Sequence, residues 1–390
     1  MKYAKILLLL AIVLLSTGPV MAVEQTASED IILKQLDQIN LEDLQQEIEK
    51  INREVEDYLP TLNLKELLLS FMRGELQLDW RELLSSILKY LGKEVTANFS
   101  ILGQIIILSL LSAVLGVFHQ SFSSKTIGNT INILIFMILA LLLLQAFQLA
   151  IQIGIQAVDN MVSFMHALLP VLLSLLVSMG ALTSAALFHP LTFLIISLFG
   201  SLIKYIILPL VFISAVLCIV THFNQEFSLS RLAGLFREIS ISLLGLTMII
   251  FVGGLLIQGG AAAVTDSLTL RTAKYLTGTF VPVIGGIFAD AVDLIVSCSL
   301  IIKNVLNIFG VLAIIVIIAH PIIKIIALIF VYKLAGALLQ PIGDHRLVEI
   351  LNTLGNSLII VFLVVSAVSL MFFIMITIIV GSANLTVMMR

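Results

Sequence analysis

Residues 305–340 read VLNIFGVLAIIVIIAHPIIKIIALIFVYKLAGALLQ, and this stretch decides the class of fold. It is about twice the length of roughly 20 apolar residues that a helix needs to cross a bilayer, and His320-Pro321 interrupts it. Similar apolar runs recur along the chain at 101–118, 131–150, 162–180, 186–203, 205–221, 241–263, 281–302 and 355–380. So many runs cannot form the core of a soluble protein. They predict an all-α, polytopic helical membrane protein with about seven to ten spans.

The composition supports this class and excludes others. Of the 390 residues, 60% are hydrophobic and 12% are charged, whereas a soluble chain has about 45–50% and 25%. The net charge of −3 is spread without a basic run, which argues against a nucleic-acid partner. Cys218 and Cys298 lie far apart in apolar sequence and indicate neither a disulfide framework nor a metal site.

The charges divide the chain into segments. Residues 24–100 contain 8 Lys+Arg and 16 Asp+Glu, while residues 101–390 contain only 11 and 8. Before them, Lys2 and Lys5 precede the apolar run 6–15 and a small-residue site ending at Ala22, the order of a secretory signal peptide. We therefore predict a signal peptide (1–22), an extracytoplasmic acidic helical segment (23–100) and a polytopic membrane domain (101–390). An uncleaved first anchor is the alternative for the signal peptide.

The acidic segment contains an apolar stripe at helical spacing. Its spacing of three and four residues predicts a helix over 41–58, followed by helices over 63–73 and 80–91. The stripe either packs on neighbouring helices or binds a partner outside the membrane. The candidate partner-binding residues are Leu44, Ile48, Ile51 and Val55.

Two carboxylates stand out in the membrane domain. Asp290 and Asp293 are three residues apart in an apolar run, so a helix would place them on one face. Because carboxylates at membrane depth are costly, they indicate either a pore lining or an ion pair with Lys303, Lys324 or Lys274. An ion pair that fixes helix assembly is the purely structural alternative.

The histidines and the Lys/Tyr pairs of the membrane domain indicate structural roles rather than catalysis. His166, His189 and His320 lie in or beside apolar runs without metal-ligand spacing, which favours hydrogen bonds between helices. The pairs Lys204-Tyr205, Lys274-Tyr275 and Tyr332-Lys333 suggest positions near the water boundary. No phosphate loop, H-E-x-x-H or G-x-S-x-G motif occurs, so we expect no enzyme and no cofactor.

One polar motif within the apolar sequence resembles a known family. The run SLTLRTAKYLTGTFVPVIG at 267–285 continues through Asp290 and Asp293 to Ser297-Cys298-Ser299 and Lys303-Asn304. Together with YKLA at 332–335 and LLQPIG at 338–343, it resembles the stage III sporulation protein AE family. The candidate motif or assembly residues are Arg271, Lys274, Tyr275, Gly278, Pro282 and Gly285.

The resemblance implies a function in endospore development. It implies a membrane component of the secretion-like channel, or feeding tube, that links the mother cell to the forespore, located in the mother-cell-derived outer forespore membrane. The implied partners are other subunits of this channel complex, among them a separate ATPase and a forespore membrane protein. It carries over no catalytic residue. A secondary transporter or permease for a small solute is the alternative, although no internal repeat supports it.

Overall fold

The structure is a computed structural model that describes the backbone of residues 41–55, 63–72, 80–121, 125–223, 229–280, 285–341 and 345–388. Side chains are described for 41–53, 63–71, 85–111, 134, 136–221, 229–260, 265, 297–341 and 345–381. Every element in these ranges is a helix, and none of them contains a strand. The predicted all-α class is confirmed. The predicted signal peptide lies outside the described residues.

The helices at the N-terminus are short, and four of the later helices exceed 40 residues. In chain order they are α1 (Glu42–Val55), α2 (Leu64–Met72), α3 (Trp80–Ala97), α4 (Phe99–Ser121), α5 (Lys125–Ser178), α6 (Leu182–Leu202), α7 (Leu208–Phe223), α8 (Ser230–Phe280), α9 (Gly285–Leu339) and α10 (His345–Met388). A five-residue π-helix, Ile203–Ile207, joins α6 to α7 without a break.

Six segments of the described chain are long and apolar enough to cross a membrane, which makes this a multi-pass membrane protein. They are Ser85–Leu111, Phe136–Ser178, Leu182–Thr221, Ser230–Gly260, Ser297–Leu339 and His345–Gly381. Within the described chain, α5, α6–α7 and α9 each join apolar runs that the sequence analysis counted separately. Pro170, Pro190 and Pro321 lie inside continuous helices, so proline does not separate the runs. At 1.5 Å per residue, the 43 residues of Phe136–Ser178 rise about 64 Å, more than a bilayer core of about 30 Å.

The core forms where α5, α9 and α10 pack together, with α7 and α8 against α10. Phe251 of α8 is fully buried and makes edge-to-face contacts with Phe199 of α6 and Phe372 of α10, at centroid distances of 5.6 and 6.3 Å. Glycines let other helices approach closely. A Cβ on Gly310 of α9 would stand 3.0 Å from side-chain atoms of both Leu168 and Ile376. The bundle is therefore held by close apolar packing, as expected where lipid competes with side chains.

The end of α9 is anchored by two polar contacts. The Tyr332 hydroxyl is fully buried and donates a hydrogen bond to the Leu143 carbonyl of α5 (2.7 Å). The Lys333 ammonium donates to Asn356 Oδ1 of α10 (2.8 Å). The Tyr332 ring faces the bundle, because the hydroxyl finds an acceptor there, and its position near the water boundary stays a prediction.

The three predicted N-terminal helices are present as α1, α2 and α3, and Asn63 caps α2 through its side-chain oxygen. However, these helices do not stand apart from the membrane bundle. α1 packs on α5 and α9, while α2 and α3 pack on α9. The first candidate span begins at Ser85, before the predicted boundary at residue 100.

The sequence left two alternatives for the apolar stripe of α1. In the structure, the stripe packs on neighbouring helices. Leu44, Ile48 and Ile51 are 1%, 6% and 4% exposed and belong to the same apolar core as α5 and α9. The side chain of Val55 lies outside the described residues. The partner-binding prediction is therefore corrected for Leu44, Ile48 and Ile51, because these three side chains are buried against the bundle and are not accessible to a partner.

Gly200 offers a test of this packing. A Cβ at this position would lie 2.7 Å from Val162 Cγ2 of α5, closer than side chains tolerate. We expect Gly200→Ala to destabilise the protein by about 1–3 kcal/mol, the usual cost of overpacking, and to lower its unfolding temperature in detergent. Val162→Ala in the same chain should restore most of the loss.

Gly245→Ala is the matched control, because nothing lies within 4 Å of a Cβ built there. It should be neutral or slightly stabilising, since alanine favours helix more than glycine does. Equal unfolding temperatures for the two alanine variants would contradict the close α5–α6 contact.

Candidate functional site: a polar groove between two membrane helices

An ion pair lies halfway along the apolar bundle. The Lys204 ammonium is 2.6 Å from Asp159 Oδ2, joining the π-helix to α5. The side chains remain 27% and 40% exposed, so the pair opens to the outside of the bundle. Lys204 also lies 5.3 Å from the centroid of the Tyr205 ring. The sequence suggested that Lys204 and Tyr205 lie near the water boundary. The structure instead places them near mid-length of the segment Leu182–Thr221.

The π-helix that carries Lys204 has a cause in the sequence. Pro209 has no amide hydrogen to donate to the Tyr205 carbonyl, and its ring crowds that oxygen. The helix widens just before it, so that the Leu208 amide donates to the Ile203 carbonyl five residues back. Such insertions are frequent at functional sites. Here the widened turn contains the lysine that reaches Asp159.

Histidines extend the polar contact in the direction of the α5 C-terminus. A hydrogen bond of 3.2 Å joins His166 Nε2 to Ser197 Oγ of α6, and the imidazole stacks on Phe193 with 4.3 Å between centroids. A second histidine, His320 of α9, is hydrogen-bonded through Nδ1 to the Tyr90 hydroxyl of α3. The predicted use of histidines as links between helices is thus confirmed for His166 and His320.

Beyond His166, α5 and α6 separate into an open cavity of about 450 Å³. Its lining includes Pro170, Ser174 and His189 beside apolar side chains of both helices. One face of α5 carries, at spacings of three and four residues, Asp159, Ser163, His166, Pro170 and Ser174. We call this feature the polar groove and define it by Asp159, Ser163, His166 and Ser174 of α5 with His189, Ser197 and Lys204 of the facing helix.

A second polar group lies inside α9, apart from the groove. Lys303 is only 1% exposed, and Ser299 and Asn307 lie one helical turn to either side of it. In the described part of the chain, Ser299 Oγ and Asn307 Oδ1 are buried without a hydrogen-bond partner. Lys324, by contrast, is half-buried. Lys303 therefore belongs to the interior of the bundle.

Asp290 and Asp293 lie in the first turns of α9, where the backbone is helical as predicted; their side chains are outside the described residues. Because α9 is one helix, Asp293 and Lys303 are about 15 Å apart along its axis, and Asp293 and Lys324 about 46 Å. Side chains cannot bridge such separations within one chain. Both the ion-pair alternative, which would then need a second chain for Lys303 or Lys324, and the pore-lining alternative stay predictions.

The remaining motif residues lie on either side of the α8–α9 connection. Arg271, Lys274, Tyr275 and Gly278 are in the last turns of α8, and Gly285 begins α9. Pro282 and the side chains of the others lie outside the described residues. Their assembly role stays a prediction.

Our sequence analysis missed the carboxylate at the centre of the groove. Asp159 is the only Asp, Glu, Lys or Arg between Lys125 and Lys204. A lone carboxylate in a long apolar run is a functional-site signal in a membrane protein. Its partner could not be identified in the same way, because the pair is separated by 45 residues and depends on how α5 meets the π-helix.

Comparison with known proteins identifies the family. The profile of the family "Stage III sporulation protein AE" matches residues 62–383. The chain belongs to this family. Stage III sporulation protein AE of Bacillus subtilis (strain 168) is 37% identical over 323 residues, which cover 83% of this chain and 81% of that protein. No solved structure gives a significant match.

Membership of the stage III sporulation protein AE family assigns this multi-pass membrane protein to sporulation. The match spans α2 to α10 and therefore includes both helices of the polar groove. The family is not a known enzyme family.

The ion pair predicts a specific pattern of mutant effects. Asp159→Asn or Lys204→Gln leaves one charge without its partner at membrane depth, which is costly. Each single variant should reduce the yield of heat-resistant spores at least several-fold, whereas the double variant, which leaves no charge, should recover part of the loss. Spore counts would be read alongside immunoblots of the membrane fraction.

Lys333→Gln is the matched control, because it also removes an ammonium but can keep a hydrogen bond to Asn356. We expect it to sporulate nearly normally. A double variant that is as defective as the sum of both single variants would contradict a functional coupling between Asp159 and Lys204.

Proposed function

We propose that this protein is a conduit-forming membrane subunit of the channel that links the mother cell to the forespore. One observation carries the proposal. An apolar bundle with a partly exposed Asp–Lys pair, two histidines and serines along one groove is poorly suited to lipid on that side, since polar groups in hydrocarbon lose their hydrogen bonds to water. Water or other protein must therefore cover the groove.

The proposal includes location and partners. The proposed channel crosses two membranes, and this multi-pass protein would act in the outer forespore membrane of mother-cell origin. With no nucleotide-binding motif in its sequence, it would depend on a separate ATPase for energy. A forespore membrane protein would continue the path on the other side. Asp290 and Asp293 are further candidates for the lining of this path.

A secondary transporter for a small solute is the second candidate, and the π-helix favours it. Transporters place their substrate sites near the bilayer midplane, at irregular helix segments. The pair of Asp159 and Lys204 at a widened turn, near mid-length of its segment, fits that description. The two candidates differ in whether the chain works alone.

Thiol labelling tests the proposed conduit. In a chain whose Cys218 and Cys298 are replaced by alanine, Ser163→Cys and Ser174→Cys introduce nearly isosteric thiols into the groove. In sporulating cells, a water-soluble, charged thiol reagent should label both, because only a hydrated thiol ionises and reacts.

Ser242→Cys is the control, an exposed residue among the apolar side chains of α8. Helix α8 runs antiparallel to α6–α7, since Ser214 contacts Ala233 and Gln258 contacts Leu187. Counting along both helices from these contacts places Ser242 at the depth of Lys204. We expect it to stay unlabelled. Protection of Ser163→Cys and Ser174→Cys equal to that of Ser242→Cys would overturn the conduit. Solute uptake by vesicles that contain the purified chain alone would instead favour the transporter.

A further inference from the structure

Polar side chains lie on the outside of several helices at one level of the bundle. The helix registers follow from three contacts, which join Asp159 to Lys204, Phe147 to Phe212, and Ser214 to the Ala233 carbonyl. Counting along the helices from these contacts places the exposed glutamines of α5 level with the charged start of α8. We call this level the polar belt and define it by the exposed residues Gln145, Gln148 and Gln152 of α5, Arg231 and Glu238 of α8, and Lys89 of α3.

Lys89 belongs to this level through a contact with α9. It is next to Tyr90, whose hydroxyl is hydrogen-bonded to His320. The register of α9 on α5 follows from two contacts, which join Tyr332 to Leu143 and Gly310 to Leu168. Counting from them places His320 about 7 Å from the level of Gln152. The polar belt therefore extends from α8 across α5 and α9 to α3.

On the side of the belt that contains the polar groove, the surface of α8 is apolar over the thickness of a bilayer. The sequence has no Asp, Glu, Lys or Arg between Glu238 and Asp266. The exposed positions between 239 and 260 are isoleucine and leucine, except for Ser242 and two glycines. This stretch rises about 33 Å, and the hydrocarbon core of a bilayer is about 30 Å thick.

α6 lies beside this stretch of α8 and has a similar surface. Gln258 of α8 donates to the Leu187 carbonyl of α6, which sets the two helices side by side. The exposed residues of α6 include Leu191, Leu194 and Leu198. Such a surface suits hydrocarbon, which offers no hydrogen bonds.

On the other side of the belt, charged residues are exposed again. Leu347, near the start of α10, packs with Leu139 of α5, about 20 Å from Gln152 along the α5 axis. The exposed positions of α10 between 345 and 352 are His345, Arg346, Glu349 and Asn352. A surface that includes an arginine and a glutamate does not suit hydrocarbon. The two sides of the belt thus differ, and the difference indicates which side lipid surrounds.

We propose that the polar belt marks one surface of the bilayer. Lipid then surrounds α6 and α8 on the side of the polar groove, with Ile249 near the centre of the hydrocarbon. The belt residues lie among headgroups and water. From Gln152 back to its first residue, Lys125, α5 rises about 40 Å, so the bundle projects about this far from the membrane surface.

The placement goes beyond the proposed function, since it would hold equally for a conduit or a transporter. It has a consequence for the polar groove. Asp159 lies about 10 Å and Ser174 about 33 Å from Gln152 along α5, so the groove would cross most of the hydrocarbon.

The placement also reduces the number of crossing segments. α4 reaches the cluster of Leu139 and Leu347 through Leu108, which lies beyond the belt. The apolar runs of α4 and of the first half of α5 would therefore lie outside the hydrocarbon, although each is long enough to cross it.

Spin labels at two matched positions test the placement. In a chain whose Cys218 and Cys298 are replaced by alanine, Ile249→Cys and Leu141→Cys each carry a nitroxide. Both parent residues are exposed and apolar, at 72% and 55%. Oxygen concentrates in hydrocarbon, whereas a water-soluble nickel chelate does not enter it. In lipid vesicles of the purified chain, the ratio of oxygen to nickel collisions should be at least several-fold higher for Ile249→Cys, because Leu141 lies about 16 Å beyond Gln152.

Gln152→Cys and Glu238→Cys are controls for the boundary itself. They lie on different helices but at the same level of the polar belt. Their collision ratios should agree with each other and lie below that of Ile249→Cys.

Lysine substitutions give an independent test. A lysine costs little in water and much at the centre of the hydrocarbon. Ile249→Lys should lower the amount of folded protein recovered from membranes several-fold. Leu141→Lys, a matched change on the other side of the belt, should leave that amount and the unfolding temperature nearly unchanged.

Three results would overturn the placement. Equal collision ratios for Ile249→Cys and Leu141→Cys would show that the hydrocarbon extends past the belt. A higher ratio for Leu141→Cys would put the bilayer on the opposite side of it. A loss of Leu141→Lys from membranes as large as that of Ile249→Lys would contradict it as well. The conduit is tested separately, by the labelling of Ser163→Cys against Ser242→Cys.

Discussion

The hydrocarbon interior of a membrane cannot hydrogen-bond to a peptide group, and the structure depends on this constraint. Helices satisfy the backbone internally, and every described element is a helix. Side-chain hydroxyls follow the same rule: those of Ser174, Thr221, Thr247 and Ser357 each donate to the carbonyl four residues earlier. Such bonds hide isolated polar groups within their own helix. Lys204 and Lys333 instead find partners on other helices, whereas Gln156 donates to Asn160 Oδ1 within α5.

The way in which these larger polar groups are accommodated divides the molecule into regions. Tyr332, Lys333 and His320 form contacts between helices, and these contacts hold α3, α5, α9 and α10 together. On α8, the exposed surface between 239 and 260 avoids the problem by being almost entirely apolar. On α5, the exposed face carries four glutamines, an aspartate and a histidine. Lipid suits the face of α8, whereas the face of α5 requires water or protein. This asymmetry links the fold to the proposed conduit.

Apolar packing explains why the N-terminal segment joins the bundle. α1 is acidic on its outer face, but Leu44, Ile48 and Ile51 are buried against the membrane helices. Burying three such side chains gains roughly 1.5–3 kcal/mol each relative to leaving them exposed. The helix lengths are consistent with this arrangement: α5 and α9 are much longer than a bilayer is thick, so parts of them extend beyond the hydrocarbon, where a water-exposed helix can pack on them.

The sequence by itself determined the helical class, the three N-terminal helices with their apolar stripe, and the family, because these follow from hydrophobic periodicity and from a local polar motif. It separated apolar runs that the structure joins, since prolines such as Pro170 and Pro321 remain inside long helices whose carbonyls can be satisfied by other means. The tertiary structure alone decided that Lys204 meets Asp159, that the stripe of α1 is internal, and that the glutamines of α5 face outward. Each depends on which helices become neighbours. The sequence pattern gives the faces of a helix, but only the packing of the bundle determines what lies against each face.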